Sequence, residues 1–113
     1  MREDGKIDYV ELPGGDLIPL KRFYSQAFGW TFTDYGPSYT AISEGLDGGF
    51  NGDAAEQPAV PLVILYAHDV EAMEAKVRAA GGAIVHPIYA FPGGRRFHFR
   101  DPSGNELAVW SEG

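Results

Sequence analysis

The sequence predicts an α+β fold built from two βαβββ modules, and three observations predict it. Two segments superpose without gaps: Val10 and Val63, Leu12 and Leu65, Asp16 and Asp69, and Gly29 and Gly82 each lie 53 residues apart. In both segments a short run of β-branched, aromatic and aliphatic residues leads to an Asp, after which apolar residues recur at helical spacing. Gly- and Pro-rich punctuation then separates further short apolar runs, as expected of one supersecondary unit used twice.

The elements follow in order. Ile7 to Leu12 and Leu62 to Tyr66 read as the opening strands. Asp16 and Asp69 are helix N-caps, because a carboxylate there accepts the unpaired N–H groups of the first turn. Leu17, Leu20, Phe23, Tyr24, Ala27 and Phe28 give the first helix its apolar stripe, and Val70, Met73, Val77 and Ala80 the second. Glu71 and Glu74 lie near the positive end of that second helix, and Lys76 and Arg78 near the negative end. Gly29 and Gly81-Gly82 provide the left-handed stops.

Trp30 to Phe32 and Ala83 to Val85 read as the next strands, with His86, just before Pro87, ending the second. Ser38 to Ser43 and Leu46 to Asn51 complete module 1, which runs from about residue 5 to 52. A linker of about 53–60 follows, in a stretch holding two prolines and acidic residues. Module 2, about 61–113, closes with Arg96 to Arg100 and Glu106 to Ser111 around the turn Asp101-Pro102-Ser103-Gly104-Asn105. Together the modules form one domain over 1–113.

Composition narrows the function. With 9 Lys+Arg against 16 Asp+Glu the formal charge is −7, which argues against nucleic acid or an anionic membrane as partner. There are no cysteines, so disulfides, thiolate metal sites and Cys nucleophiles are excluded. Met1 to Lys6 lacks an apolar leader and no stretch reaches membrane-spanning length, so a cytoplasmic location is expected. Gly48-Gly49 and Gly93-Gly94 open no helix and read as turns or bulges, not phosphate cradles.

Several local patterns carry a resemblance. Ile7-Asp8-Tyr9-Val10, then Asp16 and Phe23-Tyr24-Ser25-Gln26-Ala27-Phe28-Gly29-Trp30, form one set. His68-Asp69-Val70 with Ala79-Ala80-Gly81-Gly82, and Phe99-Arg100-Asp101-Pro102-Ser103-Gly104-Asn105, form the others. In this order the chain resembles the glyoxalase/bleomycin-resistance/extradiol dioxygenase (vicinal oxygen chelate) superfamily over nearly its whole length. The resemblance implies curved mixed sheets around a concave cavity, with the helices on the outer face. It also implies a homodimer, with the halves pairing within one chain or across the interface.

In metal-using members of that superfamily, His, Gln and Glu on the first strand and near the end of each half hold a divalent ion. Carried over, those positions fall on Tyr9, on Leu62, on Ala108 and around Gly48-Gly49-Phe50. None is a strong ligand. No metal and no other cofactor is therefore expected. A displaced site would have to draw on Glu11, Glu106, His98, His86 and His68, none of which shows ligand spacing along the chain.

Strand alternation sorts the remaining candidates. Val10, Leu12, Val63, Leu65, Phe97 and Phe99 are expected beneath the helices. Tyr9, Glu11, Ile64, Arg96, His98 and Trp110 are expected toward the cavity, as ligand-binding residues, with Leu62, Tyr66 and Glu106 on the same side. Four have a plainer role: a core tyrosine for Tyr9, a wet rim or a pairing with Arg96 for Glu11, a packing histidine for His98, a subunit contact for Trp110.

The function expected is a glyoxalase-like protein binding a small, partly apolar molecule without the superfamily metal. One alternative is a metal-dependent lyase or dioxygenase with displaced ligands. Another is a drug-sequestering protein of the bleomycin-resistance kind. Catalytic residues are left unassigned.

Overall fold

The computed structural model describes residues 2–113; Met1, the first residue of the stretch read for a leader, lies outside them. The elements are β1 (Ile7–Pro13), α1 (Leu17–Phe28), β2 (Thr33–Asp34), β3 (Tyr39–Ile42), β4 (Gly48–Asn51), β5 (Leu62–Tyr66), α2 (Val70–Ala79), β6 (Ala83–Phe91), β7 (Gly94–Arg100) and β8 (Glu106–Ser111). The chain divides into an N-terminal unit, Tyr9–Leu62, and a C-terminal unit in which the opening residues through Asp8 join Val63–Gly113.

The two units repeat one topology. In the N-terminal unit the strand order is β2-β3-β4-β1, and in the C-terminal unit β6-β7-β8-β5. Each opening strand pairs in parallel with the closing strand of its own unit, Leu12 opposite Phe50 and Leu65 opposite Val109. The other pairings are antiparallel. This is the βαβββ order that the offset of 53 predicts, and the fold class is α+β.

Local chemistry explains both helices. Asp16 accepts from the Ile18 amide at 3.2 Å and Asp69 from the Ala72 amide at 3.0 Å. Pro19 stands in the first turn of α1, where its missing N–H would have had no partner in any case. Gly29 (φ 75°) and Gly81 (φ 102°) take the left-handed conformation that ends each helix.

The packing of α1 departs from its expected stripe. Leu17 is buried, and Tyr24 rests against the buried Phe50 at 5.3 Å and stacks on Trp30 at 4.7 Å. Phe23 and Phe28 stay 57% and 63% exposed. The strand expected at Trp30 to Phe32 is displaced to Thr33–Asp34, because Trp30 stacks on Tyr24 and Phe32 turns to Phe50 instead of joining the ladder.

Beneath α2 the C-terminal unit builds a core of Ala67, Val70, Phe97 and Val109, flanked by Leu65, Met73, Val77, Ile84, Ile88 and Phe99. Leu65, Phe97 and Phe99 thus lie on the helix side, as alternation requires. Strand β6 differs from expectation. It does not stop at His86 but runs through Pro87 to Phe91. As the outer strand of its unit it tolerates a residue with no N–H. Its register against β7 shifts between Ile84 and His86 and again between His86 and Tyr89. Among the described residues no helix is long and apolar enough to cross a membrane.

Candidate functional site

A dense polar arrangement lies on the face of the C-terminal unit's sheet opposite α2. His86 on β6, His98 on β7, Ala108 on β8 and Ile64 on β5 are register partners in one row across four strands. Glu106 and Trp110 stand two residues either side of Ala108 on the same face of β8. A regular strand would put His86 on the side of Ile84 and Ile88, in the core. The register shifts turn it to the opposite face, where its ring meets that of His98 edge-on, centroids 4.9 Å apart.

His98 is the centre of a hydrogen-bonded run. Its Nδ1 lies 3.0 Å from Oε2 of Glu106 and its Nε2 lies 3.0 Å from the hydroxyl of Tyr89. The carboxylate accepts, so it assigns the imidazole proton to Nδ1, and Nε2 then accepts from the phenol. Tyr89 in turn accepts from Nε of Arg96 at 2.5 Å. Only 7% of His98 is exposed. Burial holds its pKa below the ordinary imidazole value, aided by the positive charge of Arg96, while the bond to Glu106 works in the other direction. The imidazole is therefore neutral at neutral pH, with a phenol on one side and a carboxylate on the other.

Aromatic surface adjoins this run. The guanidinium of Arg96 lies over the rings of both Tyr89 and Phe91, 5.6 Å from each centroid. Phe91 approaches Trp110 at 6.2 Å, and Tyr66 meets Trp110 edge-on at 5.5 Å. The Trp110 indole N–H donates to Asp8 at 2.9 Å and Arg2 covers one ring face at 5.0 Å. Ile64 and Tyr66 are buried beside it on β5.

The N-terminal unit carries a second polar cluster. Tyr9 and Tyr39 join hydroxyls at 2.7 Å, and Tyr39 donates to Glu11 at 3.4 Å. Burial raises the Tyr9 pKa, and the charge of Glu11 adds to it, against a lowering by the Tyr39 bond. Glu11 is 3% exposed, which corrects the expectation of a wet rim. Gly49 is register partner to Glu11, and a Cβ added there would fall 2.5 Å from the oxygens of both Tyr9 and Tyr39.

Of the six residues expected to bind ligand, Ile64, Arg96, His98 and Trp110 belong to the C-terminal unit, and Tyr9 and Glu11 to the N-terminal unit. Sequence reasoning missed Tyr89 and Phe91 and left Tyr39 unassigned. The first two lie on the continuation of β6 hidden by Pro87; the register Tyr89 opposite Arg96 follows once that strand is extended. Of the five donors considered for a displaced metal, His86, His98 and Glu106 converge, each offering one ligand atom within 4.8 Å of the others. His68 instead pairs with Asp4 at 2.7 Å.

The positions that the superfamily's ion would use do not fit one. Leu62 and Ala108 are buried apolar residues, and the Tyr9 hydroxyl is bonded to Tyr39 against Gly49. Neither unit presents a donor set at those positions.

A family model described as Glyoxalase/Bleomycin resistance protein/Dioxygenase superfamily matches residues 6–109. The anthracycline biosynthesis protein DauV of Streptomyces sp. (strain C5) is 31% identical over 93% of this chain and 46% of its own length. This chain thus spans about half the length of the curated relatives it matches. Among solved structures, a glyoxalase/bleomycin resistance protein/dioxygenase superfamily member from Vibrio splendidus 12B01 aligns with TM-score 0.70 at 16% identity, over 94% of this chain and 97% of its own. The Mn(II)-bound glyoxalase from Novosphingobium aromaticivorans aligns with TM-score 0.65 at 22% identity, over 99% of this chain and 40% of its own. At these identities the two structures bear on the fold alone.

Proposed function

This chain belongs to the Glyoxalase/Bleomycin resistance protein/Dioxygenase superfamily, and from that premise we propose that it binds a small, partly apolar, oxygen-bearing molecule. The proposed contacts on the C-terminal unit are Arg96, His98 and Trp110, with Tyr89 added and Ile64 as apolar floor. Within the N-terminal unit, Tyr9 and Glu11 form with Tyr39 a polar cluster of their own. The observation that carries the reading is the run Glu106–His98–Tyr89–Arg96 set beside Phe91 and Trp110. A few fixed polar groups next to flat apolar surface is the usual composition of a small-molecule site. Arg96 suits a ligand carbonyl or phenolate, and the aromatic rings suit a planar ring system. The 31% identity to an anthracycline biosynthesis protein favours polycyclic aromatic ketones as the ligand class.

Tryptophan fluorescence tests this. In a Trp30→Phe background Trp110 is the one remaining indole reporter. Titration with a hydroxyanthraquinone is expected to give saturable quenching. Arg96→Ala is expected to weaken it roughly tenfold or more, the scale of one lost charge-assisted hydrogen bond. A linear, non-saturating response that is the same in both proteins would refute the reading.

A further inference from the structure

We propose that His86, His98 and Glu106 form a binding site for one divalent transition-metal ion of the zinc class. The site is displaced along the sheet from the superfamily's position. The displacement can be followed residue by residue. The inherited closing-strand ligand position is Ala108, and its register partner on β7 is His98, whose own partner on β6 is His86. Glu106 stands two residues before Ala108 on the same face of β8. An apolar residue fills the old position, and the three donors stand one each on β8, β7 and β6, toward the outer strand.

Two imidazoles and a carboxylate are a donor set for zinc and its neighbours, whereas magnesium and calcium prefer oxygen ligands throughout. Metal–ligand bonds to these groups are roughly 2.0–2.2 Å, so neighbouring ligand atoms around one ion stand about 3–3.6 Å apart. Nδ1 of His98 and Oε2 of Glu106 already stand 3.0 Å apart. The three ligand atoms lie within 4.8 Å of one another, and His86 is exposed.

The surroundings hold the donors in place. Arg100 holds the other carboxylate oxygen of Glu106 at 3.5 Å, leaving Oε2 for the site. Tyr89 faces Nε2 of His98, so when Nδ1 binds metal the ring proton moves to Nε2 and the phenol oxygen accepts it, the outer support that metal-bound histidines usually have. The opposing charges are the guanidinium groups of Arg96, tied to the Tyr89 oxygen, and Arg100. Three side chains leave a coordination position for an oxygen of water or of a bound molecule.

The test uses the full chain, without a histidine tag, stripped with a chelator and titrated calorimetrically with zinc and nickel salts alone. No organic ligand takes part, so the result is independent of the function proposed above. One equivalent of zinc or nickel per chain is expected, with no saturable binding of magnesium. His86→Ala and Glu106→Gln should each weaken binding at least about tenfold, while His68→Ala leaves it unchanged. His86 is exposed, so its variant should keep the wild-type melting temperature and is the deciding one. Absence of binding, or binding that His86→Ala leaves intact, overturns the site. Cobalt substitution gives a second readout: visible d–d bands in the wild type that disappear in His86→Ala.

Discussion

Tyr9 and Tyr39 bring their hydroxyls within 2.7 Å of each other directly over the Cα of Gly49, a contact that needs the missing side chain. Gly49→Ala would place its methyl 2.5 Å from both oxygens and 2.7 Å from Cε1 of Tyr39. The expected cost is about 1–3 kcal/mol, the usual penalty for overfilling a packed site. Urea unfolding measures it. A double-mutant cycle with Tyr39→Ala should show coupling, because removing the Tyr39 ring takes away part of the clash.

The same pair sets an alkaline limit. Burial raises the Tyr9 pKa in the folded protein, so the unfolded chain loses this proton first as pH rises. The stabilisation is complete below the unfolded value of about 10 and is lost as pH climbs through the folded value. Absorbance titration near 295 nm should show one tyrosine fewer titrating late in Tyr9→Phe than in wild type.

His98 sets an acid limit of opposite sign. Its folded pKa lies below the unfolded value of about 6.5, so its neutral burial stabilises the fold above that value. This contribution is lost as pH falls through the folded value. NMR titration of the metal-free protein should find His98 titrating below the ordinary range. Glu106→Gln removes the partner that holds the pKa up, and should push the value lower still.

A homodimer is the expected state in solution. Phe23 and Phe28 contact each other at 6.2 Å at the end of α1, and both are mostly exposed. We propose that a second copy covers them. Light scattering at micromolar concentration should give twice the chain mass, and Phe23→Asp with Phe28→Asp should give the monomer. A monomeric wild type counts against the proposal.

How far the sequence could be read depended on whether a signal was local. Asp16, Asp69 and Gly29 act through the backbone within a turn of themselves, and all three take the roles that their spacing predicts. The Asp101 loop is equally local: its carboxylate accepts from the amides of Ser103 and Asn105 at 2.9 Å each. Arg96, His98 and Trp110 were legible because β7 and β8 alternate without interruption. His86 was not, since two register shifts and a proline break the alternation on which its placement depended. The convergence of His86, His98 and Glu106 joins three strands, and no spacing along the chain encodes that. Phe23 and Phe28 follow helical periodicity, yet periodicity does not say whether a stripe meets its own sheet or another surface.

The irregularity of β6 has a consequence beyond aiming a histidine. A straight outer strand offers a continuous row of amides and carbonyls on which a stray strand from another molecule can grow. Here Pro87 leaves one position of the strand without an N–H, and the register shifts on either side of His86 break the even spacing of its backbone. The rim that holds His86 is thereby a poor template for fibrillar assembly.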